Sequence, residues 1–147
     1  MPNTTTLLCS AFKLHQKSKR YSMTNEAQIE AFRALAKRYE MSGHHFHKDK
    51  RGFLIVTRQG IDYLVGKLGI VVEFQPVFEW SDPAEGRYVM TAHARIGDRG
   101  VMTFGEASPK NNSNAYPVAM AEKRAMSRAV LKLVGMYELG AMGEDEA

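Results

Sequence analysis

Tyr116-Pro-Val-Ala-Met-Ala-Glu-Lys-Arg-Ala-Met-Ser-Arg-Ala-Val-Leu-Lys-Leu-Val-Gly135 reads as one helix with both ends marked. Pro117 suits the first helical position, where a missing N–H costs nothing. Gly135 suits the stop, because it alone enters the left-handed region freely. Three stripes run along the helix. Arg124, Arg128 and Lys132 recur every four residues and make a positive one. Ala121, Ala125 and Ala129 make a second, small enough for close backbone approach. Met, Val and Leu fill much of what remains, and a helix apolar on most sides is buried on most sides. Fixed cations at the rim of a buried helix suit an anionic ligand; a solvated face is the plainer alternative.

Upstream lie three strand-like runs. Ile70 to Trp80 is rich in β-formers, Arg87 to Ile96 alternates apolar with polar, and Val101 to Ala107 completes the set. Ser81-Asp-Pro-Ala-Glu-Gly86 and Gly97-Asp-Arg-Gly100 are turn sequences, so an antiparallel meander is expected. Before it, Thr57 caps a predicted helix from Arg58 to Leu68, and Gly69 stops it. Phe53 to Val56 reads as a short strand. Asn25 and Gln28 form a capping-box pattern ahead of a helix that runs to about Glu40. The predicted order is α-β-α-β-β-β-α. The fold class is α+β, with an antiparallel three- to four-stranded β meander packed against the long C-terminal helix.

At 147 residues the chain has the length of one domain with its own core. Residues 1–22 carry four basic residues and no acid, and read as a flexible basic arm, with the domain over 23–139. Residues 140–147 read as a disordered acidic tail. The formal charge is +4; setting aside the three acids Glu144, Asp145 and Glu146 raises it to +7. A basic body of this kind attracts phosphate polymers. No run approaches the roughly 20 apolar residues of a membrane helix, so no membrane partner is expected. The single cysteine, Cys9, excludes an intrachain disulfide and fits a cytoplasmic location.

Several groups are candidates for contact with nucleic acid. Arg124, Arg128 and Lys132 come first, since each cation on a rigid element can meet one phosphate and release counterions. Arg58 opens a helix, where backbone amides also favour an anion; an i+4 pair with Asp62 is the alternative. Lys110 leads a polar loop, Lys110-Asn-Asn-Ser-Asn114, that either binds phosphate or merely connects. Arg95 and Arg99, with Arg87, sit on the central hairpin. Trp80, Tyr88 and Phe104 are able to stack on bases, although such residues are more often core. His44, His45 and His47 lack a cysteine or carboxylate to complete a metal set, so they read as loop residues. No P-loop, Gly-x-Ser-x-Gly or His-Glu-x-x-His is present. No catalytic residue, metal or cofactor is therefore expected.

Two stretches carry a family resemblance. Leu54-Ile-Val-Thr-Arg-Gln-Gly-Ile-Asp-Tyr-Leu-Val-Gly-Lys-Leu-Gly-Ile70 is similar to the short strand, helix and glycine that precede the sheet in single-strand annealing proteins of the Rad-fifty-two type. Phe104-Gly-Glu-Ala-Ser108 followed by Ala119 to Gly135 resembles the last strand, polar loop and basic helix of the same proteins, which are related to the phage ERF and RecT annealases. The match spans about Phe53 to Gly135. It implies a ring or filament of identical subunits that holds single-stranded DNA in a positive groove and anneals complementary strands without ATP. It carries Arg128 and Lys132 onto groove positions, and Arg58 near one. The chain departs from the family in size: the long recombinase-recruiting region of eukaryotic members has no counterpart in this sequence, so annealing alone is expected, and the small size suggests a phage or bacterial annealase.

Two other classes compete. A double-stranded RNA-binding module shares the helix, three strands and basic last helix, but not the helix at Arg58 to Leu68. A phage or bacterial protein that docks a protein partner through apolar surface would show no salt-sensitive nucleic-acid binding. A metal-dependent nuclease is the weakest reading, because the carboxylates are scattered along the chain.

Overall fold

The computed structural model describes residues 25–147. The basic arm read over 1–22 lies outside the described residues. Helix α1 spans Glu26–Arg38. The capping box is formed as expected: Gln28 N–H donates to Asn25 Oδ1 at 2.8 Å, and Asn25 N–H to Gln28 Oε1 at 3.0 Å. Phe32 and Ala36 are its buried face.

The next segment departs from the sequence reading. Phe46–Lys48 forms a strand, β1, inside the stretch read as a histidine loop. It pairs antiparallel with β2, Leu54–Val56, with Phe46 opposite Val56. The Asp49 carboxylate makes the reversal by accepting N–H bonds from Arg51 and Phe53, both at 2.9 Å. Thr57 then caps α2, Arg58–Leu68, and Gly69 ends it at φ 65°.

The meander is β3, Val71–Pro76, β4, Tyr88–Ile96, and β5, Arg99–Ala107, in the order β3-β4-β5. Phe74 faces Ala92, and Thr91 faces Phe104. The expected strand to Trp80 stops at Pro76, which is tolerated because β3 is an edge strand. Beyond it Ser81 Oγ donates to the Val77 carbonyl at 2.7 Å and accepts from Val89 N–H at 3.0 Å. That hydroxyl takes the place of ladder bonds and turns Phe78–Trp80 into a single 3₁₀ turn over the outer face.

Helix α3, Pro117–Leu133, crosses the other face of β4 and β5. Ala121, Ala125 and Ala129 are fully buried, as the small stripe predicts. Gly105 of β5 lies beneath them: a Cβ there would stand 2.2 Å from the Ala121 carbonyl oxygen and 2.4 Å from the Ala125 nitrogen. Thr103 Oγ1 donates to the Ala125 carbonyl at 2.6 Å. The opposite side of α3 closes the main core, in which Phe32, Ile61, Leu64, Leu131 and Met136 are fully buried.

The reading of 140–147 as a disordered tail is corrected by the structure. Gly140 turns the chain at φ 86°, and Met142–Gly143 forms β6. It runs parallel to β2, with Ile55 opposite Met142, in a second sheet ordered β1-β2-β6. Glu144–Glu146 makes a 3₁₀ turn beyond it. Backbone pairing and the seat of Gly143 against Ser127 hold the segment, and neither depends on an apolar pattern. Among the described residues no helix is long and apolar enough to cross a membrane.

Candidate nucleic-acid interface

Positions 124, 128 and 132 of α3 share one edge of the helix, about 6 Å apart along its axis by α-helical rise. Arg124 and Arg128 reach from that edge to β5, one of the two edge strands of the meander. Arg128 Nη1 donates to the Phe104 carbonyl at 2.7 Å, and Arg124 Nη1 to the Glu106 carbonyl at 2.8 Å. Two arginines thus satisfy acceptors on the side of β5 away from β4, where no strand pairs among the described residues, which also blunts its tendency to pair with a foreign strand.

Arg124 goes further. Its Nη1 also meets Asn111 Oδ1 at 2.9 Å, its Nη2 the Asn111 carbonyl at 2.7 Å, and its Nε the Asp145 carbonyl at 3.0 Å. Four of the five guanidinium donors are engaged. Arg124 is therefore a clamp that joins β5, the polar loop and the C-terminal segment. Asn111 completes the clamp by accepting from Ser108 N–H at 2.9 Å.

Arg128 is less committed. Among the described residues it meets, besides the Phe104 carbonyl, only the Glu146 carboxylate, through Nε. It lines a cleft of about 380 Å³ with Trp80, Arg87, Val89, Phe104 and Glu106. Trp80 and Phe104 meet at a centroid distance of 5.1 Å with a tilt of 44°. Trp80 is 54% exposed and Phe104 38%. Arg87 Nε holds the Trp80 carbonyl at 3.1 Å, fixing the turn that carries the indole. The cleft therefore has two aromatic residues open to solvent, with two arginines and one acidic residue, Glu106, in its walls.

The other predicted cations are distributed around the molecule. Arg58 forms the i+4 pair with Asp62 at 3.5 Å, and its backbone N–H donates to Glu144 Oε1 at 2.7 Å. Its Nη1 is buried with no hydrogen-bond partner among the described residues. Lys110 is exposed in the polar loop beside Asn111. Arg99 donates to the Leu133 carbonyl at 2.5 Å and so caps the C-terminal end of α3. Lys132 lies at that same end, its Nζ 4.9 Å from the centre of the Tyr137 ring. Arg95 pairs with Glu73 at 3.3 Å across β3 and β4. Arg124 and Arg128 are thus brought together, with Arg58 joined to them through the acidic turn. Arg99 and Lys132 mark the far end, and Arg95 stands apart on the sheet.

Two members of the cleft, Trp80 and Arg87, are recognisable in sequence only as an aromatic and a basic residue flanking a turn. The fold-over made by Ser81 brings them beside Arg128, and no local spacing reports it. The histidines take separate roles. His44 and His47 are exposed, whereas His45 is buried and stacks on Tyr63 at 4.3 Å. Its Nδ1 accepts from Ser42 N–H at 3.0 Å. Burial, with a smaller contribution from neighbouring His44, pushes the His45 pKa below the ordinary imidazole value.

No family model matches the chain, and no curated protein matches it in sequence.

Proposed function

We propose that the protein binds single-stranded DNA and anneals complementary strands without ATP, in recombination or repair, as a cytoplasmic homo-oligomeric ring or filament. The observation that carries the binding is the cleft in which Arg128 and Arg87 flank the exposed rings of Trp80 and Phe104. Single-strand binders combine cations that follow the backbone with aromatic faces on which any base can stack. Such contacts leave base edges unread, so a second strand remains free to pair. Annealing and assembly rest on the resemblance of Leu54 to Ile70 and of Phe104 to Gly135 to annealing proteins.

The cations act without chemistry on the DNA. Arg128 and Arg87 supply positive charge at the cleft, and Lys110 and Arg58 extend it along the polar loop and the start of α2. A double-stranded RNA-binding role is less well supported, because α2 interrupts the helix–meander order of such modules and Val118, Ala119 and Met120 occupy the first turn of α3. Phe78, 80% exposed next to Trp80, favours a protein partner as the second reading.

Fluorescence anisotropy with a labelled oligonucleotide, against duplex DNA and duplex RNA over a salt series, tests the proposal. Tight binding to single strands that weakens steeply with salt is expected. The double variant Arg128→Ala/Lys132→Ala, checked for folding by circular dichroism, is expected to lose that binding. Wild-type affinity in the well-folded variant, or a preference for duplex RNA, would contradict the proposal. No binding to any of the three at low salt would leave the protein-partner reading ahead.

A further inference from the structure

We infer that the acidic turn Glu144–Glu146 is a built-in competitor for the phosphate backbone of single-stranded DNA. The inference rests on the single-strand reading above and adds regulation to that site. Three successive residues present oxygens to three of the predicted DNA contacts. Glu144 Oε1 accepts from the Arg58 N–H at 2.7 Å, at the first turn of α2. The Asp145 carbonyl accepts from Arg124 Nε at 3.0 Å. The Glu146 carboxylate accepts from Arg128 Nε. Two carboxylate oxygens with a carbonyl oxygen between them, lying on two arginines and a helix-terminal amide, make the kind of acceptor row that a phosphate chain would also present.

The attachment suits displacement. The anchor is β6, where Met142 and Gly143 pair with β2 and Gly143 seats against Ser127. The acids lie beyond that anchor, in one 3₁₀ turn with no strand pairing of its own. Leaving the cations therefore need not break the sheet. The docked turn also leaves polar atoms without partners: Arg58 Nη1 and Asp145 Oδ2 are both buried and unbonded among the described residues. A segment fitted only for stability would satisfy such groups. A phosphate oxygen beside Arg58 would supply the missing acceptor, and Asp145 would return to water.

The energetic scale allows a switch. The Arg128–Glu146 pair is half-buried, with side-chain exposures of 37% and 13%. Pairs at such positions are weak enough to exchange yet strong enough to tax a competing ligand, and removing both carboxylates should tighten DNA binding about fivefold. Without the competitor the salt dependence should also steepen, since the freed cations would then carry counterions for DNA to release.

The test uses the full chain and a labelled oligothymidine, comparing wild type with Glu144→Gln/Glu146→Gln. Glu26→Gln/Glu30→Gln on α1 makes the same change in net charge at a distance. About fivefold tighter binding in the first variant, with little change in the second, supports the inference. Equal affinities for wild type and the first variant, or equal tightening in both variants, overturns it while leaving single-strand binding in place. Absence of binding in all three proteins at low salt overturns the single-strand reading itself, and the competitor with it. Amide hydrogen exchange in unmodified protein provides a readout that needs no variant. Saturating oligothymidine should speed exchange in 144–147 while 142–143 stays protected; unchanged exchange in the bound protein would contradict the competitor.

Discussion

Two edges of α3 repeat every four residues, and the molecule treats them oppositely. Ala121, Ala125 and Ala129 lie against β5 so closely that Gly105 has no room for a methyl group. Arg124 and Arg128 reach carbonyls on the rim of the same strand, and Lys132 reaches the Tyr137 ring, each through a long side chain. The small edge fixes backbone to backbone, and its period alone announces that. The basic edge has the same regular period and three different fates. Arg124 is nearly saturated by protein acceptors, Arg128 has donors to spare, and Lys132 lies over a ring at the far end. A period of cations therefore identifies a surface without saying which of its members is available to a ligand.

The contrast is broken most severely at Gly105. Gly105→Ala would drive a Cβ into the backbone of α3, and overpacking of this kind costs about 3 kcal/mol. A urea denaturation midpoint left where it was would show that the helix can ride off the strand without penalty. On the basic edge the expected order is Arg124 before Arg128. Arg124→Ala removes four hydrogen bonds across three segments, and a loss of about 2 kcal/mol is expected. Arg128→Ala should cost roughly 1 kcal/mol or less. Thermal unfolding of both variants checks this, and an equal loss would mean that the two positions are not functionally distinct.

The cleft sharpens the comparison from the ligand side. Trp80→Ala is expected to weaken oligonucleotide binding by about 1 to 3 kcal/mol, the usual worth of one base–aromatic stack, while leaving the melting temperature nearly unchanged. Titration calorimetry reading wild-type affinity would exclude the indole from the contact. The smallest effect belongs to neither edge. Burial, with a smaller contribution from His44, places the folded pKa of His45 below its unfolded one. The folded state then binds fewer protons. Its contribution is fully present above about pH 6.5 and is lost as pH falls through that value towards the lower folded one. His45→Gln should flatten that part of a stability-versus-pH curve, and an unchanged slope in the variant would assign it to another group.

How much of this was legible beforehand depends on how local each signal is. Asn25 with Gln28 and Thr57 with Gly69 mark helix ends by local bonds and turns, and Pro117 and Gly135 do so by backbone conformation, so the helices emerge where the sequence puts them. The meander is equally readable, because its strands are joined by short turns. β1 and β6 were hidden. Each has two or three residues and no alternation, and β6 depends on a partner more than eighty positions away. The acidic turn illustrates the limit best: three charged residues in a row resemble a solvated tail unless the cations that receive them are known. The seven predicted contacts Arg58, Arg95, Arg99, Lys110, Arg124, Arg128 and Lys132 could be chosen by charge, but their sorting into a clamp, a helix cap, a sheet pair and a cleft depends on the folded chain.

Trp80 is the single tryptophan of the chain, which makes the central claim directly observable. Intrinsic emission would be followed while an unlabelled oligothymidine is added at low salt, with anisotropy of a labelled copy run in parallel. The account predicts quenching of the indole that saturates together with binding, reverses on adding salt and is weakened in Arg128→Ala. Binding reported by anisotropy with no change in Trp80 emission would put the DNA elsewhere on the molecule and contradict the account.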